Sequence, residues 1–114
     1  MNFVDERRPL DVLCGRGSGS NNHKGNKLYL QARDEMQQRY KQASKKEKTE
    51  ISRELISKVE SSGGRFIEKY VDPDGPERWY EVSLKRKLRK ASQALRDINT
   101  PQARKEKRAR YNKK

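Results

Sequence analysis

Residues 63–97 read GGRFIEKYVDPDGPERWYEVSLKRKLRKASQALRD, and this stretch decides the fold. Its first half alternates aromatic and polar residues, the period of two that a half-buried β-strand requires. A turn rich in proline, glycine and aspartate divides that half into two strands, at residues 65–71 and 78–82. The second half repeats apolar residues at steps of four, three and four, which form one stripe on a helix: Leu84, Leu88, Ala91 and Leu95. The stretch predicts a β-hairpin followed by an amphipathic helix.

Phe66 and Trp79 are the first candidate core residues of the hairpin, because each buries a large apolar area. The alternative for Trp79 is a platform on which a nucleic-acid base stacks. Ser83 is placed to cap the helix, which we expect to end near Asp97.

Basic residues crowd the start of this helix, where the positive end of the helix dipole opposes each of them by a few tenths of a kcal/mol, roughly. Helix stability therefore does not explain them, whereas an anionic partner does. With the apolar stripe facing the core, a period of 3.6 residues turns the following residues outward: Arg86, Arg89, Lys90, Gln93 and Arg96. Four cations and one amide on a helix suit the major groove of duplex DNA.

The composition also indicates an anionic partner. The chain has 114 residues, of which 30% are hydrophobic and 39% charged, with a net charge of +13 and a pI near 10.1. Residues 83–114 hold thirteen Lys and Arg against two Asp and Glu, so most of the net charge lies in this part. Such asymmetry favours nucleic acid first and an anionic membrane surface second.

Several protein classes are disfavoured by the same composition. A single cysteine excludes an internal disulfide, and one Cys with one His excludes the common four-ligand zinc modules. No run reaches the ~18 apolar residues of a membrane span, and no secretory apolar core is visible. We expect an intracellular protein of the nucleus, without metal, cofactor, small-molecule substrate or membrane partner. The sequence leaves the oligomeric state open.

Two helices are predicted upstream of the hairpin. The first covers residues 26–43, where Leu28, Ala32, Met36 and Tyr40 recur every four residues. A capping box, Ser44 with Glu47, starts the second helix at residue 45, and two glycines after residue 62 end it near residue 61. Its expected buried residues are Ile51, Leu55, Ile56 and Val59. The pair should form an antiparallel helical hairpin.

The two ends of the chain carry weaker signals. Residues 1–9 show no periodicity and predict a flexible start, and residues 10–13 suit either an edge strand or an apolar anchor. The loop CGRGSGSNNHKGN, residues 14–26, has a glycine spacing that suggests a phosphate cradle but lacks the nucleotide-binding fingerprints, so we favour a structural loop that touches a nucleic-acid backbone. Residues 99–114 predict a disordered basic tail, acting as a nuclear-localisation signal or a nucleic-acid arm through Arg104, Lys105, Lys107, Arg108 and Arg110. The chain as a whole predicts one small α+β domain, residues 10–98, with the order α-α-β-β-α.

Five short blocks along the chain are recognisable together: DVLCGRG at 11–17, NHKGN at 22–26, GGRF at 63–66, WYEV at 79–82 and KASQALR at 90–96. In this combination residues 11–97 resemble an uncharacterised domain family expanded in diatoms and related algae. The resemblance implies a eukaryotic protein and a domain boundary, without a mechanism. If the blocks form a functional surface, its polar members include Arg16, Asn22, His23, Asn26 and Arg65, beside Lys90, Gln93 and Arg96 of the helix. Arg and Lys suit phosphate or guanine, and Asn and Gln suit adenine edges.

The leading hypothesis is a DNA-binding module of the transcription-regulator type, in which the third helix contacts duplex DNA and the tail and loop add phosphate contacts. A variant of it uses the second helix instead, through Lys45, Lys46, Lys48 and Arg53. We rank this variant lower, because Glu47, Glu50 and Glu54 interleave those cations.

Three other hypotheses remain. RNA binding would use exposed, stacking aromatic residues, for which Tyr29, Tyr70 and Tyr80 are the candidates. A protein-interaction domain would use the basic tail only for nuclear targeting. An enzyme is not expected, because the clustered Asp72, Asp74 and Glu77 suit a hydrophilic turn and Cys14 has no histidine at the spacing of a nucleophile's base.

Overall fold

A computed structural model describes residues 2–15 and 23–97. The described chain is a small α+β domain, as predicted, in which three helices pack against a four-stranded sheet. The elements are β1 (Asn2–Val4), β2 (Val12–Cys14), α1 (Lys24–Gln42), α2 (Lys45–Ser61), β3 (Phe66–Val71), β4 (Glu77–Glu81) and α3 (Leu84–Arg96). Two short N-terminal strands thus precede the predicted order of elements.

The sheet has the strand order β1-β4-β3-β2. β3 and β4 form the predicted antiparallel hairpin, whose register runs from Ile67 opposite Glu81 to Val71 opposite Glu77. β2 lies parallel to β3 at one edge, which decides between the two readings of residues 10–13 in favour of an edge strand. Its three residues are nevertheless buried, because α1 covers them.

The expectation of a flexible start at residues 1–9 is corrected by β1. This strand pairs antiparallel with β4, with Phe3 opposite Tyr80. The Phe3 ring meets Tyr70 edge-on, with centroids 5.9 Å apart, and the Arg78 guanidinium lies 3.7 Å from its centre. Three residues are too few to show a period, so only the pairing partner defines this strand.

α1 and α2 form the predicted antiparallel hairpin, in which Lys58 pairs with Glu35 at 2.9 Å and Arg39 pairs with Glu54. The capping box of α2 is confirmed, since the Glu47 N–H donates to Ser44 Oγ at 3.3 Å and Ser44 Oγ donates to Glu47 Oε1 at 3.0 Å. Gly63, with a positive φ of 91°, follows the end of α2 as expected.

The buried stripe of α1 matches the predicted one at three of four positions. Ala32, Met36 and Tyr40 lie in the core as expected, whereas Leu28 is 46% exposed. Tyr29 takes the place of Leu28 because its ring packs edge-on against Phe66, with centroids 5.7 Å apart. The periodicity located the helix correctly and was wrong at its first apolar position.

Two other expectations about the core need correction. Phe66 is fully buried as predicted, but Trp79 is half-buried, with the Arg7 guanidinium 5.3 Å from its ring centre. Leu84 is 54% exposed because it lies at the first turn of α3, where Val82, just before the cap, enters the core instead. Ala91 and Leu95 are fully buried, so the stripe holds over the rest of α3.

Candidate nucleic-acid interface

The outward face of α3 carries the residues that the sequence predicted there. Ser83 Oγ accepts the Arg86 N–H at 3.2 Å and fixes the start of the helix, while Ala91 and Leu95 anchor the opposite face in the core. Arg89, Gln93 and Arg96 are all exposed, and we call them the exposed strip of α3. Neither arginine of this strip forms an ion pair with a described residue. Arg96 Nε donates only to the Ser92 carbonyl, at 3.2 Å.

Arg86 and Lys90 belong to the same face but are held by the protein. Arg86 Nη2 lies 3.0 Å from Glu68 Oε1, and the Tyr80 hydroxyl donates to Glu68 Oε2 at 2.6 Å. The hydrogen bond from Tyr80, together with that from Arg86, lowers the pKa of Glu68 in spite of its burial, so Glu68 stays charged and holds Arg86. Lys90 Nζ lies 5.5 Å from the centre of the Tyr29 ring, a cation–π contact.

A shallow groove separates α3 from α1 and places Lys90, Gln93 and Arg96 on one wall. Arg33 lies at its base, where its guanidinium donates to the Ala94 carbonyl at 3.3 Å and pairs with Asp34 at 2.8 Å. Gln37 donates to the Leu95 carbonyl at 3.2 Å. These bonds bind the C-terminal end of α3 to α1 and give the exposed strip a rigid support.

Sequence reasoning missed Arg33 and Gln37. Both are buried polar residues of α1, spaced by four and adjacent to the apolar stripe. That spacing was a signal, because a polar pair beside a core stripe needs internal hydrogen-bond partners.

Tyr29 also lines this groove with a hydroxyl that is buried and lacks a hydrogen-bond partner in the described structure. Burial raises the pKa of Tyr29 well above its ordinary value, so the hydroxyl is neutral. An unpaired buried hydroxyl costs stability.

A second polar cluster surrounds Asp11, which is fully buried. The Arg65 guanidinium donates to both carboxylate oxygens, from Nε at 2.9 Å and from Nη2 at 2.8 Å, and the Arg8 N–H donates at 2.7 Å. Burial alone would raise the pKa of Asp11, but the bonds from Arg65 and Arg8 outweigh it and lower that pKa. We call Asp11, His23, Asn26 and Arg65 the Asp11 network.

Asn26 lies at the free edge of β2, where its side chain bonds to the backbone of Leu13. Its Oδ1 accepts the Leu13 N–H at 2.8 Å, and its Nδ2 donates to the Leu13 carbonyl at 3.0 Å. The amide thus makes the two hydrogen bonds that a further strand would make, and it is itself buried. His23 lies at the N-cap position of α1, and its Nε2 is 3.0 Å from the Arg8 carbonyl oxygen.

The prediction of nucleic-acid contacts for Asn26 and Arg65 is therefore corrected, because their polar atoms bond inside the protein. His23 is half-buried and stays at the surface beside Arg8. Arg16, Asn22 and the tail cations Arg104, Lys105, Lys107, Arg108 and Arg110 lie outside the described residues. Gly15, at the start of the Gly/Asn-rich loop, lies beside the Glu68 carboxylate that holds Arg86.

The described part of the chain also contains side chains that could react or bind a metal, but these are buried or far apart. Cys14 is buried, and burial raises the pKa of its thiol. Residues 2–15 and 23–97 contain no cluster of three or more His, Cys, Asp or Glu side chains that could hold a metal ion. Among the described helices none is long and apolar enough to cross a membrane.

Residues 11–97 match the family described as Domain of unknown function (DUF6824), and the chain belongs to that family. The match confirms the resemblance to an uncharacterised domain family over the same residues. No curated protein and no solved structure matches the chain.

Proposed function

We propose that this DUF6824 chain is a DNA-binding module of a nuclear, transcription-regulator-type protein, which contacts duplex DNA through α3. The observation that carries the proposal is the exposed strip of α3, which offers two guanidinium groups and one amide without a carboxylate partner in the described structure. The sequence of α3 contains no Asp or Glu at all. A phosphate or a base edge would supply the missing partners.

The spacing of the strip suits readout of bases. Arg89, Gln93 and Arg96 follow at steps of four and three, so they share one side of the helix. A helix fits the major groove, where Arg bonds to guanine in a bidentate manner and Gln to adenine. Lys90 flanks the strip and suits a phosphate, whereas Arg86 could contact one only beside its partner Glu68. The basic tail and the Gly/Asn-rich loop would add further phosphate contacts.

The test is binding of the intact chain to duplex DNA after Arg89, Lys90 and Arg96 are changed together to Ala. We expect the affinity to fall more than tenfold at about 0.15 M salt, since one bidentate base contact contributes about 1–3 kcal/mol. The matched control changes Lys45, Lys46 and Arg53 to Ala, which removes the same charge from exposed positions of α2. An equal loss in both variants would mean that only net charge matters, and a larger loss in the second would favour DNA contact through α2. Unchanged binding by the first would refute the assignment to α3. Thermal unfolding of each variant confirms that the fold is kept.

Selection of bound sequences from a random duplex library with the 1–114 chain tests the specificity. An enriched motif supports a transcription-regulator role, whereas a pool without enrichment shifts the proposal to RNA or protein partners. The structure gives RNA stacking little support, because Tyr29 is buried, Tyr80 bonds to Glu68 and Tyr70 packs against Phe3. Deleting residues 99–114 tests the remaining alternative, since loss of all affinity with the tail would leave the domain to a protein partner.

A further inference from the structure

A second basic surface lies at the start of α1, apart from the exposed strip of α3. Arg7, Arg8, Pro9, His23 and Lys24 line a concave depression, which we call the N-terminal basic pocket. We propose that this pocket binds a phosphate group, supplied by the backbone of the nucleic acid that α3 contacts. The choice of that source rests on the proposed function, whereas the phosphate chemistry of the pocket does not.

One wall of the pocket is a turn that the protein holds rigidly. The Asp11 N–H donates to the Arg8 carbonyl at 3.1 Å, and the Arg8 N–H donates back to Asp11 Oδ2 at 2.7 Å. Arg65 Nη2 donates to the same oxygen, at 2.8 Å. The backbone of Arg8 is therefore set in place while its side chain stays exposed.

The other wall is the start of α1, which is attached directly to that turn. His23 Nε2 lies 3.0 Å from the Arg8 carbonyl oxygen, and the Gly25 N–H donates to the Pro9 carbonyl at 2.8 Å. A Cβ atom at Gly25 would lie 2.0 Å from the Asp11 carbonyl oxygen, so only glycine permits this approach. Lys24 lies between these two contacts and is thereby held beside Arg8.

The charges of the pocket are not neutralised within the described structure. No carboxylate of the described residues lines it, and Asp11, whose oxygen accepts the Arg8 N–H, is buried and paired with Arg65. Arg8 and Lys24 form no ion pair with any described residue. Arg7 stacks on the Trp79 ring, a contact that orients its guanidinium and leaves its charge in place.

Three cations that line one depression concentrate positive potential there, which attracts an anion. A phosphate group fits because it accepts several charge-assisted hydrogen bonds at once. Since the backbone of both segments is already held, binding has to order side chains only, and this favours affinity.

The first arm of the test titrates inorganic pyrophosphate into the intact chain and follows backbone amide signals by NMR. We expect saturable shifts at Lys24 and Gly25, and their loss when Arg8 and Lys24 are both changed to Gln. The turn uses the backbone of Arg8, so this variant should fold, which its unfolding midpoint checks. The control, Lys45→Gln with Lys46→Gln, should keep the shifts. Absence of saturable shifts in the unmodified chain would overturn the proposal.

The second arm measures DNA binding against salt for the same variants. Loss of the one phosphate contact of the pocket should reduce the slope of log affinity against log salt by about 0.9. An unchanged slope beside a positive pyrophosphate titration would overturn the nucleic-acid source and point to a free phosphorylated compound. If the pocket variant loses DNA affinity while the α3 variant does not, the inference stands and the assignment to α3 fails.

Discussion

The Asp11 network and the exposed strip of α3 contain similar residues and have opposite surroundings. Both combine arginine with a side-chain amide, the pair of residue types that reads DNA bases. In the network, Arg65 and Asn26 bond to a buried carboxylate and to a strand edge. In the strip, Arg89 and Arg96 face solvent without a carboxylate partner in the described structure. Residue type therefore suggests nucleic-acid contact, and burial decides whether that contact is available.

The variant with the largest expected effect on stability breaks the Asp11 network. Arg65→Ala leaves the Asp11 carboxylate buried without its charge partner, so we expect a loss of about 3–5 kcal/mol in the free energy of unfolding. Urea denaturation measures it. The control is Lys69→Ala, which breaks an exposed pair with Glu77 and should cost less than about 1 kcal/mol. Equal costs for the two variants would show that the network is no more structural than the surface.

The network should also make stability depend on acidity. The pKa of Asp11 in the folded state lies below its ordinary value of 3.8. The ionised carboxylate therefore contributes fully to the free energy of unfolding above about pH 3.8, and this contribution is lost as the pH falls through the folded-state pKa. We expect the free energy of unfolding of the unmodified chain to fall below about pH 4 more steeply than that of Asp11→Asn. Parallel pH profiles for the two proteins would contradict this account of Asp11.

Asn26→Ala tests the amide of the network. The change leaves the N–H and the carbonyl of Leu13 buried without partners, at a cost of about 1–3 kcal/mol for each group that stays unpaired. Denaturant unfolding should show a loss of at least about 2 kcal/mol. An unchanged midpoint would mean that water replaces the amide.

Gln93→Ala tests the corresponding amide of the strip, with the opposite expectation. Its side chain is exposed and has no hydrogen bond to another described residue, so the free energy of unfolding should change by less than about 0.5 kcal/mol. Affinity for a selected DNA site should fall by about 1–3 kcal/mol, whereas affinity for unrelated duplexes should stay the same. Equal losses on both kinds of DNA would assign Gln93 to phosphate contact rather than to base readout.

The smallest effect concerns the groove beneath the strip. Tyr29→Phe removes a buried hydroxyl that has no described partner, so we expect unchanged stability or a gain of up to about 1 kcal/mol. Calorimetric unfolding of both proteins measures the difference. A clear loss of stability would show that the hydroxyl has a hydrogen-bond partner in solution.

The fold was predictable where the signals are local. The β-hairpin, the Ser44 and Ser83 caps and the glycine after α2 all depend on residues within a few positions of each other. β1 was not predictable, because a three-residue strand is defined only by its pairing with β4. Leu28 was wrongly placed in the core because Leu28 and Tyr29 are both largely apolar, and contact with Phe66 decides which of them is buried.

The candidate site was predictable to a similar extent. The outward face of α3 follows from its apolar stripe alone, and this places Arg89, Gln93 and Arg96 correctly. Two other features could not be predicted, because each depends on a strand far away in sequence. Glu68 of β3 holds Arg86, and Asn26 bonds to Leu13 of β2. The same holds for the N-terminal basic pocket, since Arg8 and Lys24 meet only through the turn that Asp11 closes.

The Asn26 side chain affects whether another molecule can pair with the edge of the sheet at β2. A sheet edge with free backbone groups can recruit a strand from another molecule and so seed aggregation. At β2 the Asn26 side chain occupies the backbone groups of Leu13 that such a strand would need. The opposite edge, β1, has no such occupant among the described residues. A strand from a second chain would therefore find these groups of β2 already bonded, which disfavours pairing at that edge of the sheet.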